Sequence, residues 1–153
     1  MSYTKLLYHI VFRTHASRPA IAEAGERSLY NYIFGICQHH RVKLFRIGGM
    51  PNHLHLFVGL PPTLTVADFV KIVKVAAHNY MKSEPALFPL FEGWAKSYCA
   101  LTYCMAEKDA VIRYIASQKE HHARLSLQDE LRQLMELNGI DRNEEYWQQD
   151  WVE

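Results

Sequence analysis

The chain has 153 residues, 49% hydrophobic, 12% aromatic and 22% charged, the size and polarity of one globular domain with its own core. This composition excludes a disordered chain, and no apolar run is long enough to span a bilayer. Seventeen Lys and Arg against sixteen Asp and Glu leave a net charge of +1, which argues against bulk electrostatic coating of nucleic acid but not against a local basic surface.

Residues 4–12 alternate (Leu6, Tyr8, Ile10, Phe12 against Leu7, His9, Val11) and predict a strand, broken by Arg18-Pro19. His9 interrupts the apolar stretch and no small-residue cleavage site follows, so it is not read as a signal peptide. Leu29, Ile33, Ile36 and Cys37 share one face of a helix expected from about Glu23 to His40. Residues 42–49 form a second strand ended by Gly48-Gly49, Pro51-Asn52 a turn, and His53 to Leu60 a third strand of strict period two. After Pro61-Pro62, with Thr63 or Thr65 as cap, Val66, Phe69, Val70, Val73, Ala76, Ala77 and Tyr80 recur at helical spacing up to Glu84-Pro85. A loop over 85–93 precedes a fourth strand from Tyr98 to Met105. Helices over Glu107–His121 and Leu125–Asn138 follow, the second closed by Gly139, and Trp147 and Trp151 mark a docking tail. Cys37, Cys99 and Cys104 are an odd count at no metal-ligand spacing, which fits a reduced, cytoplasmic protein.

The order β-α-β-β-α-β followed by helices predicts an α+β, ferredoxin-like split β-α-β antiparallel sheet in a single domain. Its two helices cover one face and leave the other open. Within Gly49-Met50-Pro51-Asn52-His53-Leu54-His55-Leu56-Phe57-Val58, His53 and His55 point to one side of the strand and the leucines to the other. The leucine side suits the helix-covered core, so the imidazoles belong on the open face. Their Cβ atoms, roughly 7 Å apart, allow both rings to converge on one metal ion. The spacing alone favours two solvated histidines on a half-exposed strand; the Gly-Gly-Met-Pro-Asn lead-in and the sheet geometry weigh toward a site. A helix stripe of Tyr114, Gln118 and His121 offers further groups, although with nine tyrosines in the chain any one of them is ordinarily a core aromatic.

Met50-Pro51-Asn52-His53-Leu54-His55-Leu56-Phe57-Val58, followed by Tyr114-Ile115-Ala116-Ser117-Gln118-Lys119-Glu120-His121-His122, resembles the single-tyrosine transposases of the HUH endonuclease superfamily, of the insertion-sequence-200 type. The resemblance runs over nearly the whole chain. It implies a homodimeric DNA transposase that cleaves and rejoins single-stranded DNA, at hairpin-bearing element ends, through a 5′-phosphotyrosine. It further implies Tyr114, on the C-terminal helices, as nucleophile, and His53, His55 and Gln118 as ligands of a divalent ion, Mg²⁺ or Mn²⁺. Active sites shared between protomers are part of the same expectation. Where the family has a Gly-Tyr-Gly-containing strand with serines, this chain has Ser97-Tyr98-Cys99-Ala100-Leu101-Thr102-Tyr103-Cys104. Two other readings use the same residues: a non-catalytic DNA-hairpin-binding relative, and a metal-dependent phosphohydrolase with water as nucleophile.

For DNA contact, Lys71, Lys74, His78 and Lys82 share the polar face of the second helix, which fits an ordinary solvated face equally well. Arg13, Arg18, Arg41, Lys43 and Arg46 are further candidates, and Trp94 and Trp147 can stack bases, although buried core or dimer contact suits both better. The net charge divides unevenly. Residues 1–125, the basic catalytic core, hold fifteen Lys and Arg against eight Asp and Glu; residues 126–153, the acidic helix and tail, hold two against eight. The part carrying the expected site is therefore basic, and the acidic segment is expected to lie away from DNA or to help position the tyrosine helix.

Overall fold

In the computed structural model, which describes residues 2–152, the alternating segments become four strands: β1 (Leu6–Arg13), β2 (Lys43–Met50), β3 (His53–Leu60) and β4 (Cys99–Tyr103). They pair antiparallel throughout, in the order β2-β3-β1-β4. Helices α1 (Glu23–His39) and α2 (Val66–Ser83) connect them as the split β-α-β pattern requires. Thr65 caps α2, its hydroxyl accepting from the Asp68 amide at 3.1 Å. After β4 come α3 (Lys108–Ala116), the single turn α4 (Gln118–His121), α5 (Leu127–Leu137) and α6 (Glu144–Val152).

Strand alternation sorts two cores onto two faces. Ile10, Phe12, Leu54, Leu56 and Val58 pack against Leu29 and Ile33 of α1 and Phe69, Val73 and Ala77 of α2. On the other face Leu7 and Phe57 meet Val111 and Ile115 of α3. This second face is not open, contrary to the alternation-based expectation. His53 and His55 are fully buried, because α3 and the helices after it lie over their side of the sheet. Strand periodicity reports which residues share a face, but not whether later helices return to cover it.

Other departures are local. The Gly48-Gly49 pair does not end β2, which runs on to Met50. Those glycines serve close approach: a Cβ on Gly48 would lie 2.8 Å from the Ile115 carbonyl oxygen, and one on Gly49 2.2 Å from the His53 carbonyl oxygen. The expected helix over Glu107–His121 is interrupted at Ser117, whose hydroxyl donates to the Tyr114 carbonyl at 3.0 Å. The tail does dock. Trp147 is buried, and the Arg13 guanidinium lies 4.5 Å from the Trp151 ring centre while donating to the Asp150 carbonyl. Among the described residues, no helix is long and apolar enough to cross a membrane.

Candidate active site

The hairpin between β2 and β3 places Asn52, His53 and His55 in sequence, and each imidazole is fixed by a neighbour on its Nδ1 side. His53 Nδ1 lies 2.7 Å from Asn52 Oδ1, and His55 Nδ1 lies 2.7 Å from His9 Nε2. With an N–H at Nδ1 donated outward, Nε2 of each ring keeps its lone pair for the site, the usual arrangement around a metal-binding histidine. Burial and the nearby His55 hold both His9 and His53 down at about 3, and burial lowers His55 as well. All three rings are thus neutral, as ligation requires.

From the other side α3 delivers the phenol. Val111 and Ile115, four residues apart, are buried against Leu7 and Phe57. That turns Tyr114 toward the histidines, its ring centre 5.9 Å from that of His55 and 5.8 Å from that of His9. Just after the break at Ser117, Gln118 is buried with Oε1 3.4 Å from His53 Nε2. Tyr114, His53, His55 and Gln118 therefore meet within one chain.

Two further participants are Glu130, which the sequence reading does not single out, and His122, which it names without a role. Glu130 of α5 is 1% exposed and sits among all of these groups. Its Oε1 lies 3.2 Å from His55 Nε2, 3.0 Å from His122 Nε2 and 3.7 Å from His53 Nε2. Its Oε2 accepts from the Tyr114 hydroxyl and, at 3.2 Å, from Gln118 Nε2. The signal was present: Glu130 stands between Leu127 and Leu134 on the buried stripe of α5, where a carboxylate needs a specific partner. His122, four residues after Gln118, brings a further imidazole. Its ring centre is 4.6 Å from that of His53.

Burial opposes ionisation of Glu130, but the hydrogen bond from His122, joined by that from the Tyr114 hydroxyl, outweighs it and holds the carboxyl well below the usual carboxylate range. Burial, and then the hydrogen bond to Glu130, push the Tyr114 phenol above its ordinary range. The metal-free phenol is accordingly protonated. His53, His55, His122 and Glu130 offer ligand atoms all within 4.8 Å of one another. Ligands about 2.1 Å from a common ion stand roughly 3 Å apart at right angles, so this donor set fits a divalent cation.

The basic candidates lie elsewhere. Arg13 is 3% exposed and engaged with Asp150 and Trp151, so it ties down α6 instead of facing a ligand. Lys74 Nζ donates to the carbonyls of Ala95, Lys96 and Ser97 at 2.9, 3.3 and 3.1 Å. Burial, with the charge of Arg13, lowers it to about 8. Arg18 is half-exposed and paired with Glu92 at 3.1 Å. Lys71 and Lys82 are exposed on α2, on the opposite side of the sheet from the imidazoles. Trp94 packs edge-on against Phe12.

The sequence profile of the family described as "Transposase IS200 like" matches residues 2–118. The ISDra2 transposase TnpA of Deinococcus radiodurans is 26% identical over 120 residues, covering 76% of this chain and 86% of that protein. A crystal structure of a protein from Deinococcus radiodurans R1 assigned as a transposase superposes with a TM-score of 0.61 at 27% identity, over 76% of this chain and 93% of that one. A REP-associated tyrosine transposase bound to a REP hairpin shares the fold, with a TM-score of 0.61 at 12% identity over 82% of this chain and 73% of its own.

Proposed function

Because the chain belongs to the IS200-like transposase family, we propose that it cleaves and rejoins single-stranded DNA with Tyr114 as covalent nucleophile and a divalent ion held by His53, His55 and Gln118. The observation that carries this reading is the convergence of the Tyr114 phenol and both imidazoles on one buried carboxylate, Glu130. Core packing alone gives no reason to bury two neutral imidazoles, an amide and a phenol around one carboxylate.

The chemistry follows from the groups present. A divalent ion held by His53, His55 and Gln118 would supply neutralisation of the charge on a scissile phosphate. Asn52 and His9 hold the two imidazoles in the orientation that directs Nε2 inward. Val111 and Ile115 seat α3 so that the Tyr114 hydroxyl meets the other oxygen of the Glu130 carboxylate that faces the imidazoles. The Tyr114 oxygen bonds to phosphorus as the bond to the 3′-oxygen breaks, giving a 5′-phosphotyrosine and a free 3′-OH. The ester is exchanged, not hydrolysed, so a new 3′-OH rejoins the strand by reversal without ATP. Hairpin-bearing DNA ends are the proposed substrate; the REP-associated neighbour is bound to a REP hairpin. A homodimer would set two such sites side by side for two ends, each copy bringing its own tyrosine.

The test is incubation with labelled single-stranded oligonucleotides and Mn²⁺. A protein–DNA adduct that survives denaturation, and is absent from Tyr114→Phe, is expected. Cleavage without an adduct would point to water as nucleophile, and hairpin binding without cleavage to a binding module.

A further inference from the structure

We propose that Glu130 is itself a ligand of the divalent ion, one carboxylate oxygen facing the metal and the other holding the Tyr114 hydroxyl. The inference rests on the reading that His53 and His55 bind an ion. It concerns a residue outside the 2–118 span shared with the family.

Three observations converge on it. The first is charge: Glu130 is 1% exposed, and among the described residues no lysine or arginine pairs with it. Its neighbours are imidazoles, an amide and a phenol. A buried carboxylate without a cationic partner is costly, and a divalent ion between it and the imidazoles supplies that partner.

The second is the division of labour between its oxygens. Oε1 faces the Nε2 atoms of His122, His55 and His53 at 3.0, 3.2 and 3.7 Å, near the roughly 3 Å spacing of adjacent ligands around a small divalent ion. Oε2 faces away from that point, to the Tyr114 hydroxyl, Gln118 Nε2 at 3.2 Å and His121 Nε2 at 3.4 Å. One carboxylate thus spans the metal position and the nucleophile.

The third is construction. Ser126 caps α5 through the Asp129 amide at 3.2 Å, and Leu127 and Leu134 anchor the helix on either side of Glu130. The carboxylate therefore arrives on a rigid, deliberately seated element. The acidic C-terminal segment consequently contributes one of its charges to the site itself, and the tyrosine is placed relative to the ion by a shared side chain.

The test is Mn²⁺ binding to the full-length protein without DNA, read from loss of the free-ion electron paramagnetic resonance signal. Wild type, Glu130→Gln, Glu130→Asp, Gln118→Ala and His55→Ala are compared, with circular dichroism confirming each fold. Glu130→Gln is expected to weaken binding by at least about tenfold, with Glu130→Asp recovering part of the loss. Wild-type affinity in Glu130→Gln alongside loss in His55→Ala overturns the role of Glu130 and leaves the histidine site standing. Wild-type affinity in His55→Ala overturns the histidine site and this inference with it. Should Glu130→Gln not fold, a crystal structure of the Mn²⁺-loaded wild type decides. Oε1 within bonding distance of the ion upholds the proposal, and a carboxylate turned away from it refutes it.

Discussion

Gly48→Ala tests how the tyrosine is seated. Gly48 pairs with His55 across β2 and β3 and lies directly beneath α3. An added Cβ would stand 2.8 Å from the Ile115 carbonyl oxygen and 3.0 Å from Ile115 Cγ2, where ordinary contact begins near 3.4 Å. The closest atom is backbone, so α3 must retreat by roughly 0.6 Å. Overpacking of this kind costs about 1–3 kcal/mol, a fall in the thermal midpoint of roughly 3–10 °C for a chain of this size. Displacement of a reacting group by about 1 Å costs on the order of 100-fold in rate, so a shift of this size should lower single-turnover cleavage about tenfold at saturating DNA. Gly35→Ala is the internal control. Gly35 lies in α1 with nothing within 4 Å of its Cβ position, so alanine there should stabilise by up to about 1 kcal/mol and leave cleavage untouched. Wild-type melting and cleavage in Gly48→Ala would refute the placement of α3 against β2.

Other substitutions separate groups that look alike in the sequence. Lys71→Ala with Lys82→Ala should weaken single-strand binding and reduce the salt dependence by about 0.7 per lysine, with unchanged melting and unchanged turnover at saturating DNA, since both are exposed and remote from the imidazoles. Lys74→Met should instead destabilise by about 1–3 kcal/mol, because three carbonyls lose their donor. Equal effects on DNA binding from all three lysines would contradict this division. For the thiols, burial pushes Cys37 up to about 12, and burial with the nearby Glu130 pushes Cys99 up to about 11. At pH 8 a thiol reagent should therefore modify the exposed Cys104 rapidly, Cys99 slowly, and Cys37 only on unfolding. Rapid labelling of Cys37 in the native protein would contradict its burial.

Much of the fold was legible because period-two and period-3.6 patterns are imposed by burial on one face. The third strand and α2 emerge where hydrophobic spacing puts them, and the pairing of His53 with His55 on one side follows from the pleat alone. What the pattern omits is tertiary return. The face carrying the imidazoles reads as open because α3 and α5 cover it from fifty or more residues downstream. The same blindness hides His9, whose partner His55 is 46 positions away, and the partners of Arg13 and Lys74, which are Asp150 and the 95–97 backbone. Glu130 was the accessible omission: a carboxylate on an otherwise leucine-bearing stripe marks a polar function inside a packed interface. The break at Ser117 was visible only as a residue that competes for backbone carbonyls, a tendency that tertiary packing decides.

The central claim is that the DNA becomes bonded to one named oxygen. The most direct measurement is mass spectrometry of the protein after reaction with a single-stranded oligonucleotide and Mn²⁺, followed by nuclease trimming and trypsin. Cleavage after Arg113 and Lys119 releases the peptide Tyr114–Lys119. The account predicts this peptide carrying a nucleotide through a phosphodiester on the tyrosine. An unmodified Tyr114–Lys119 peptide accompanied by cleaved DNA, or a nucleotide attached to any other residue, would contradict it.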